Sequence, residues 1–395
     1  MTDKFEQDSV ISGVARSAIG RRLGRSALDL TVDAAVAAIA DAGLTRDDID
    51  GICTYPGGSA DVTFGYAGPP PQEVQDALRL NLTWFQGSAE LPGQLGAVVA
   101  AMMAVSTGLC RHVLVYRTVT ESSAQGGGGR AAVLGSERAH SYGVWSAPFG
   151  GTSPVNWLAP VAMRHMHEFG TTREQLGQLA VTFRRNAALD PEGAVFTAPL
   201  TIEDYLAARM ISTPMCLLDC DVPVDGSTAL IVSTAAHAPN TPHGAVRFEA
   251  VGTAARGRLS WDQYADLTSM AAQGAAAHLW SRTDLRPADV DTAQLYDGFS
   301  ILALVWLEAL GFCGHGEAGP FLEGGGNIAL DGSLPLNTNG GQLSGGRLHG
   351  YGLIQEAVVQ LRRSAGGRQV RGAEVALVSN GGGPIAGALL LTRAR

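Results

Sequence analysis

The chain is short of cysteine and short of charge. Its 395 residues hold five cysteines (Cys53, Cys110, Cys216, Cys220 and Cys313), with no CxxC pair and no dense, even framework. That excludes a disulfide scaffold and points to a reducing compartment. Cys216 and Cys220 are four apart, but no His or Cys pair follows at finger spacing, so no metal site is expected. Charged residues make up only 16% against 46% hydrophobic. Such a composition buries a large core and leaves little charged surface, as in an oligomer with covered faces.

Long apolar runs are also missing, since none reaches the ~18 residues of a membrane helix. The longest candidate, 95–105, is broken by Gly96 and bounded by Ser106-Thr107-Gly108. The polar start MTDKFEQDSV has no apolar h-region. No signal peptide and no membrane partner are therefore expected, and a cytoplasmic location is. The net charge is −9 with no Lys/Arg block, so nucleic acid is not expected as a partner. Neither GxGxxG after a first strand nor GxxxxGK[ST] occurs, so dinucleotide and P-loop readings lack their motif.

What is abundant is glycine, 51 residues, against a usual share of about 7%. There is no G-X-Y period, so these glycines belong to tight turns and close backbone approaches. The local pattern is that of an α/β chain. Residues 10–14 read as a strand. Residues 26–42 read as a helix with Leu28, Val32, Ala35, Val36 and Ile39 on one stripe, closed by Gly43. Residues 97–106 form a small-residue helix, and 112–116 a strand apolar on both faces, of the kind found in covered parallel sheets. The tract 125–129 reads as a glycine loop, 160–169 and 172–188 as helices, and 230–233 and 246–252 as strands.

The chain repeats itself. Residues 34–55 align on 275–296 without a gap. Ala34/Ala275, Ala35/Ala276, Leu44/Leu285, Asp48/Asp289, Asp50/Asp291 and Tyr55/Tyr296 are identical. A second echo pairs the helix, glycine and strand of 95–116 with those of 352–379. The expected organisation is two βαβ-rich halves, 1–240 and 241–395, with an inserted loop region at about 120–215.

The glycines cluster late, at 323–327, at 337–352 (NTNGGQLSGGRLHGYG) and at 379–384 (SNGGGP). Loops of this kind can aim backbone N–H groups at a carbonyl or thioester oxygen. Taken with LYDGFS at 295–300, they resemble the thiolase superfamily. The counterparts there are an Asn-Glu-Ala-Phe or His-Asp-Cys-Phe stretch, an Asn-Gly-Gly…Gly-His-Pro stretch and a Cys-x-Gly-Gly-Gly stretch. The segments 217–221, 225–226 and 311–314 are similar to the sterol-carrier-protein thiolase, or lipid-transfer, branch. The resemblance implies duplicated βαβ halves forming a layered αβαβα core.

The departures from that family bear on function. A thiolase places a nucleophilic Cys at the start of the buried helix of its first half, where the helix dipole lowers the thiol pKa. Here that neighbourhood, 87–96, contains no Cys. The Gly-His-Pro histidine falls on Arg347 and the second thiolase Cys on Ser379. Cys110 reads as core. What remains is a thioester scaffold without covalent chemistry, which suits a retro-aldol reaction at the enolate.

The resemblance to steroid side-chain-cleaving aldolases of the lipid-transfer branch implies Tyr296 and Tyr351 as acid/base groups, with His349 in support. A tyrosine titrates near ~10, so Arg347 or His349 would have to assist one acting as base. Asp297, Ser344, Gly346, Arg347, Asn380, Gly381 and Gly382 are the expected substrate contacts. Asp297 could equally cap the helix that follows it, while His165 and His167 are expected on a solvated helix face. No cofactor is expected on the chain, since CoA would arrive with the substrate. The resemblance implies a homodimer and a small OB-fold partner carrying a zinc ribbon. An acyl-transferring thiolase and a non-catalytic acyl-CoA or lipid carrier are the alternatives.

Overall fold

The computed structural model describes residues 4–57, 65–87, 93–125, 143–190, 192–257 and 260–394. The expected glycine loop at 125–129 and part of the 87–96 segment lie outside them. Among the described residues eleven strands run in chain order: β1 (Ser9–Arg16), β2 (Gly51–Thr54), β3 (Trp84–Gly87), β4 (His112–Thr120), β5 (Met210–Ser212), β6 (Met215–Cys216), β7 (Asp225–Thr234), β8 (Val246–Ala255), β9 (Thr292–Gln294), β10 (Val375–Gly381) and β11 (Ile385–Arg393). Nine of them form one sheet in the order β3-β2-β4-β7-β1-β8-β11-β10-β9.

The duplication is visible in this order. In the first half β2 runs parallel to β3 and β4, then β4, β7 and β1 pair antiparallel. In the second half β9 runs parallel to β10, then β10, β11 and β8 pair antiparallel. A parallel bridge from Ala293 to Leu336 takes the place of β3. The half-sheets meet at β1 and β8 through only two residue pairs, Val10 with Arg247 and Ile11 with Val246.

Helices fill the spaces between and outside the half-sheets. The Gly96–Ser106 and Tyr351–Leu361 helices share one core with the inward faces of both. The Ala27–Asp41 helix covers the outer face of the first, and the Ala271–Trp280 and Ser300–Ala309 helices that of the second. The result is the αβαβα layering. The Ala27–Asp41 helix starts where Ser26 Oγ accepts the Asp29 N–H at 3.0 Å. It rides unusually close to β1, because a Cβ on Gly13 would overlap the Ala38 carbonyl oxygen. Gly252 of β8 and Ala275 repeat the same approach in the second half.

The expected boundary at 240 falls in the link between β7 and β8. Described residues of the region between β4 and β7 belong to a core. Its Val155, Leu158, Leu176, Leu179 and Phe183 pack into the outer core of the second half. The helix expected at 160–169 begins earlier, at Pro154. Pro160 sits inside it, and Pro154 takes the first helical position, where a missing N–H costs nothing. His165 also departs from expectation. It is buried, with Nε2 2.9 Å from Glu308 Oε1 and Nδ1 2.9 Å from Thr171 Oγ1, while His167 is exposed. The Gly96–Ser106 helix spends its small residues on the protein's own core. Among the described residues no helix is long and apolar enough to cross a membrane.

Candidate active site

Residues at or just after the carboxyl ends of β2, β4, β9 and β10 meet: Tyr66, Arg117 and Asn380 contact His349, and Ser379 contacts Tyr296. A cleft of about 250 Å³ opens there. Its apolar lining is Pro154, Trp157, Leu158, Trp261, Phe299 and Leu302. Its polar lining is Tyr66, Gln94, Asp221, Tyr296, Arg347 and His349.

Tyr296 follows β9 and is held from behind, its backbone N–H donating to Ser379 Oγ at 3.0 Å. Gln94 Nε2 lies 3.4 Å from its hydroxyl. His349 stands in the left-handed region at φ 50°, a conformation uncommon for a non-glycine residue. Asn380 Nδ2 donates to its carbonyl at 3.0 Å. Arg117 NH2 reaches its ring Nδ1 at 2.7 Å, and the Tyr66 ring stands edge-on at 4.6 Å. The adjacent residues Ser379 and Asn380 thus hold the two cleft side chains separately, one by backbone N–H and one by backbone carbonyl. Gly350 makes the second grip possible: its φ is 85°, and a Cβ there would overlap Asn380 Nδ2.

Arg347 lines the cleft as part of a buried ion group. Its NH2 pairs with Glu121 Oε2, and its Nε lies 3.5 Å from Asp221 Oδ2. Two carboxylates therefore face its single positive charge.

Tyr351 does not line this cleft. It opens the central Tyr351–Leu361 helix, fully buried among residues of the inner core. Its hydroxyl has no hydrogen-bond partner among the described residues. Burial, with a smaller contribution from Cys53, pushes the phenol well above its ordinary range, opposed by nearby Arg117.

Asp297 is also buried behind the cleft. Its carboxylate accepts the backbone N–H groups of Gln342 and Leu343, at 2.9 to 3.2 Å, capping the turn Gly341–Gly345. The cap serves this turn rather than the Ser300–Ala309 helix. Burial pushes Asp297 up to about 6. Ser344 Oγ accepts from Arg184 Nε at 2.9 Å, and its carbonyl accepts from Val195 and Phe196. Gly346 lines a separate small cavity with Arg16 and Ile19. The carbonyl of Gly381 accepts the Trp306 indole N–H at 3.1 Å, and Gly382 packs against that indole. Of the residues named from sequence, the structure brings Tyr296, Arg347 and His349 together on the cleft. It sets Asp297, Ser344, Asn380, Gly381 and Gly382 behind or beside them.

Sequence reasoning passed over Tyr66, Gln94 and Arg117. Arg117 carried a signal, because it follows a strand apolar on both faces, and a charge there must be buried and partnered. β4 in fact continues to Thr120. No cysteine lines the cleft. Burial pushes the Cys110 and Cys313 thiols up to about 12 and Cys216 up to about 11, away from the thiolate a nucleophile requires.

Residues 253–391 match the family model described as thiolase C-terminal domain-like. The chain is 34% identical to a steroid side-chain-cleaving aldolase of Thermomonospora curvata, over 97% of each. It is 36% identical to a 17-hydroxy-3-oxo-4-pregnene-20-carboxyl-CoA lyase of Mycobacterium tuberculosis, over 97% of this chain and 98% of the relative. The chain belongs to the thiolase superfamily, in its sterol-carrier-protein thiolase-like branch. The solved structure of an Ltp2-ChsH2(DUF35) aldolase superposes with a TM-score of 0.86 at 32% identity, covering 98% of both chains. A phenol and an imidazole stand on the cleft, and none of the five cysteines lines it.

Proposed function

We propose that this chain is a CoA-thioester-dependent aldolase. It cleaves the side chain of a β-hydroxyacyl-CoA steroid, releasing a ketone or aldehyde and a short acyl-CoA. The supporting observation is the cleft itself, lined by apolar Pro154, Trp157, Leu158, Trp261, Phe299 and Leu302 and by polar groups among which there is no thiol. The full-length similarity to aldolases and CoA lyases agrees with it.

In this reaction a proton leaves the β-hydroxyl and the Cα–Cβ bond breaks. Its electron pair moves into the thioester as an enolate, and Cα then takes a proton. Tyr296, on the cleft, is the proposed acceptor of the hydroxyl proton. Tyr351 stands off the cleft in the inner core, so the proton that Tyr296 has taken returns to Cα, and Tyr351 is the proposed second acid/base group behind it. His349 supports the thioester oxygen, where developing negative charge needs a placed donor. Asp297, Ser344, Gly346, Arg347, Asn380, Gly381 and Gly382 form the proposed substrate cradle, largely by holding the loops that meet the thioester. No cofactor is required by this chemistry, since CoA is part of the substrate.

The proposal includes a small OB-fold partner with a zinc ribbon and a homodimer of this chain. For the dimer, the support is the sheet edge. β3 is an edge strand with exposed Phe85, and Met103 and Leu109 are also exposed. The test is to co-express the chain with such a partner and offer a panel of β-hydroxyacyl-CoA substrates. Mass spectrometry should find a carbonyl product and a shortened acyl-CoA. Binding of the panel without turnover would favour a carrier instead.

A further inference from the structure

Arg117 is fully buried, and its contacts determine what its neighbour can do. Its guanidinium lies under two tyrosine rings, 5.3 Å from the centroid of Tyr55 and 4.9 Å from that of Tyr66. The two phenol oxygens are themselves 2.7 Å apart. NH1 donates to the Thr118 carbonyl at 2.8 Å, and NH2 meets His349 Nδ1 at 2.7 Å. A guanidinium has five N–H donors and no acceptor, so Nδ1 must be the acceptor. In a neutral imidazole only one nitrogen accepts, which leaves the proton on Nε2.

We propose that Arg117 is a positioning residue that locks His349 as its Nε2–H tautomer. The imidazole is thereby a fixed hydrogen-bond donor at the cleft and not a proton acceptor. This rests on the aldolase reading only in saying what the donor is for: an N–H aimed at the thioester oxygen. A base at this position would compete with Tyr296 for the role, whereas a neutral donor complements it.

The surroundings enforce the same state. A proton on Nδ1 would face an N–H donor at 2.7 Å and set a second cation beside the first. From β2 and the segment after it, Tyr55 and Tyr66 face the pair. From the inner helix, Tyr351 lies within electrostatic reach of Arg117. Arg347, two residues from His349, is already matched to Glu121 and Asp221. The backbone is fixed as firmly as the ring, by the Asn380 bond to the His349 carbonyl. Such strained, over-determined placement is characteristic of residues whose orientation matters.

The test is nitrogen NMR on the full chain labelled with [15N]histidine, with its partner bound if solubility requires it. A His349→Gln sample identifies the resonances. The expected result is a protonated Nε2, an unprotonated Nδ1, and no titration between about pH 6 and 8. Arg117→Met should release the ring to titrate near its ordinary ~6.5, and Arg117→Lys, which also only donates, should restore the lock. An Nδ1–H tautomer, or a parent His349 that titrates in that range, would overturn the proposal. If Arg117→Met does not fold, the parent spectrum still decides. The readout needs no substrate, so it stands or falls separately from the aldolase reading.

Discussion

Arg117 and Asn380 occupy corresponding positions in the two halves, and both are bonded to His349. The alignment that sets Tyr55 on Tyr296 also sets β4 on β10, with Leu114 beside Ile52 as Leu377 is beside Ala293. Arg117 then falls on Asn380. One holds the imidazole and the other the backbone carbonyl. A duplicated scaffold has diverged at one pair of positions so that both copies serve a single residue.

Gly350→Ala should break the second of these grips. Alanine must adopt φ 85° and place its Cβ on the Asn380 amide. The expected outcome is a loss of more than ~1 kcal/mol of stability, with turnover falling further than stability accounts for. Chemical denaturation and steady-state kinetics on one preparation check it.

Ser379→Ala removes the acceptor of the Tyr296 N–H inside the protein. An orphaned buried donor costs about 1–3 kcal/mol. Since the same bond sets the phenol's position, kcat should fall more than KM rises. Ser379→Cys, with a weak sulfur acceptor, should recover part of the loss.

Tyr296→Phe and Tyr351→Phe should behave differently in stability and alike in activity. Tyr296→Phe should lower kcat by about 10² or more, as removal of an acid/base group does. Tyr351→Phe removes a buried hydroxyl that lacks a partner among the described residues. It should leave the melting temperature unchanged or higher while activity falls, a pairing expected of a polar group kept for function.

Asp297 makes a pH prediction. Its folded pKa of about 6 lies above the ordinary 3.8 because burial disfavours the carboxylate. The fold therefore favours the protonated form. That contribution is complete below about pH 4 and is lost as pH rises through about 6, on the order of 3 kcal/mol. The stability difference between the parent and Asp297→Asn should shrink in the parent's disfavour over that interval. Denaturation midpoints measured across it provide the check.

Much of this was legible in the chain. The 34–55 and 275–296 repeat pointed to the duplicated sheet, and LYDGFS with the two late glycine clusters placed Tyr296 and His349 at strand and helix ends. The rest depends on contacts between residues far apart in sequence. Nothing local says that Arg347 meets Glu121 and Asp221, or that Trp157 of the inserted region lines the same cleft as Tyr296. His165 looked like a surface residue because its partner, Glu308, lies 143 positions away. Tyr351 was placed by its motif, and its depth in the inner core follows from the packing of two helices between two half-sheets.

Thiol chemistry provides a further check. Alkylation of the native protein should leave turnover intact, because the Cys110 and Cys313 thiols are held as unreactive acids near 12 and no cysteine lines the cleft. Inactivation with one labelled cysteine would indicate acyl transfer.

The most direct test of the central claim is product stoichiometry in the absence of free CoA. A retro-aldol reaction needs no CoA acceptor. The partnered chain, given a β-hydroxyacyl-CoA steroid alone, should form the carbonyl product and the short acyl-CoA in equal amounts. Cleavage that begins only when free CoA is added, and consumes it, would mark a thiolase and contradict this account.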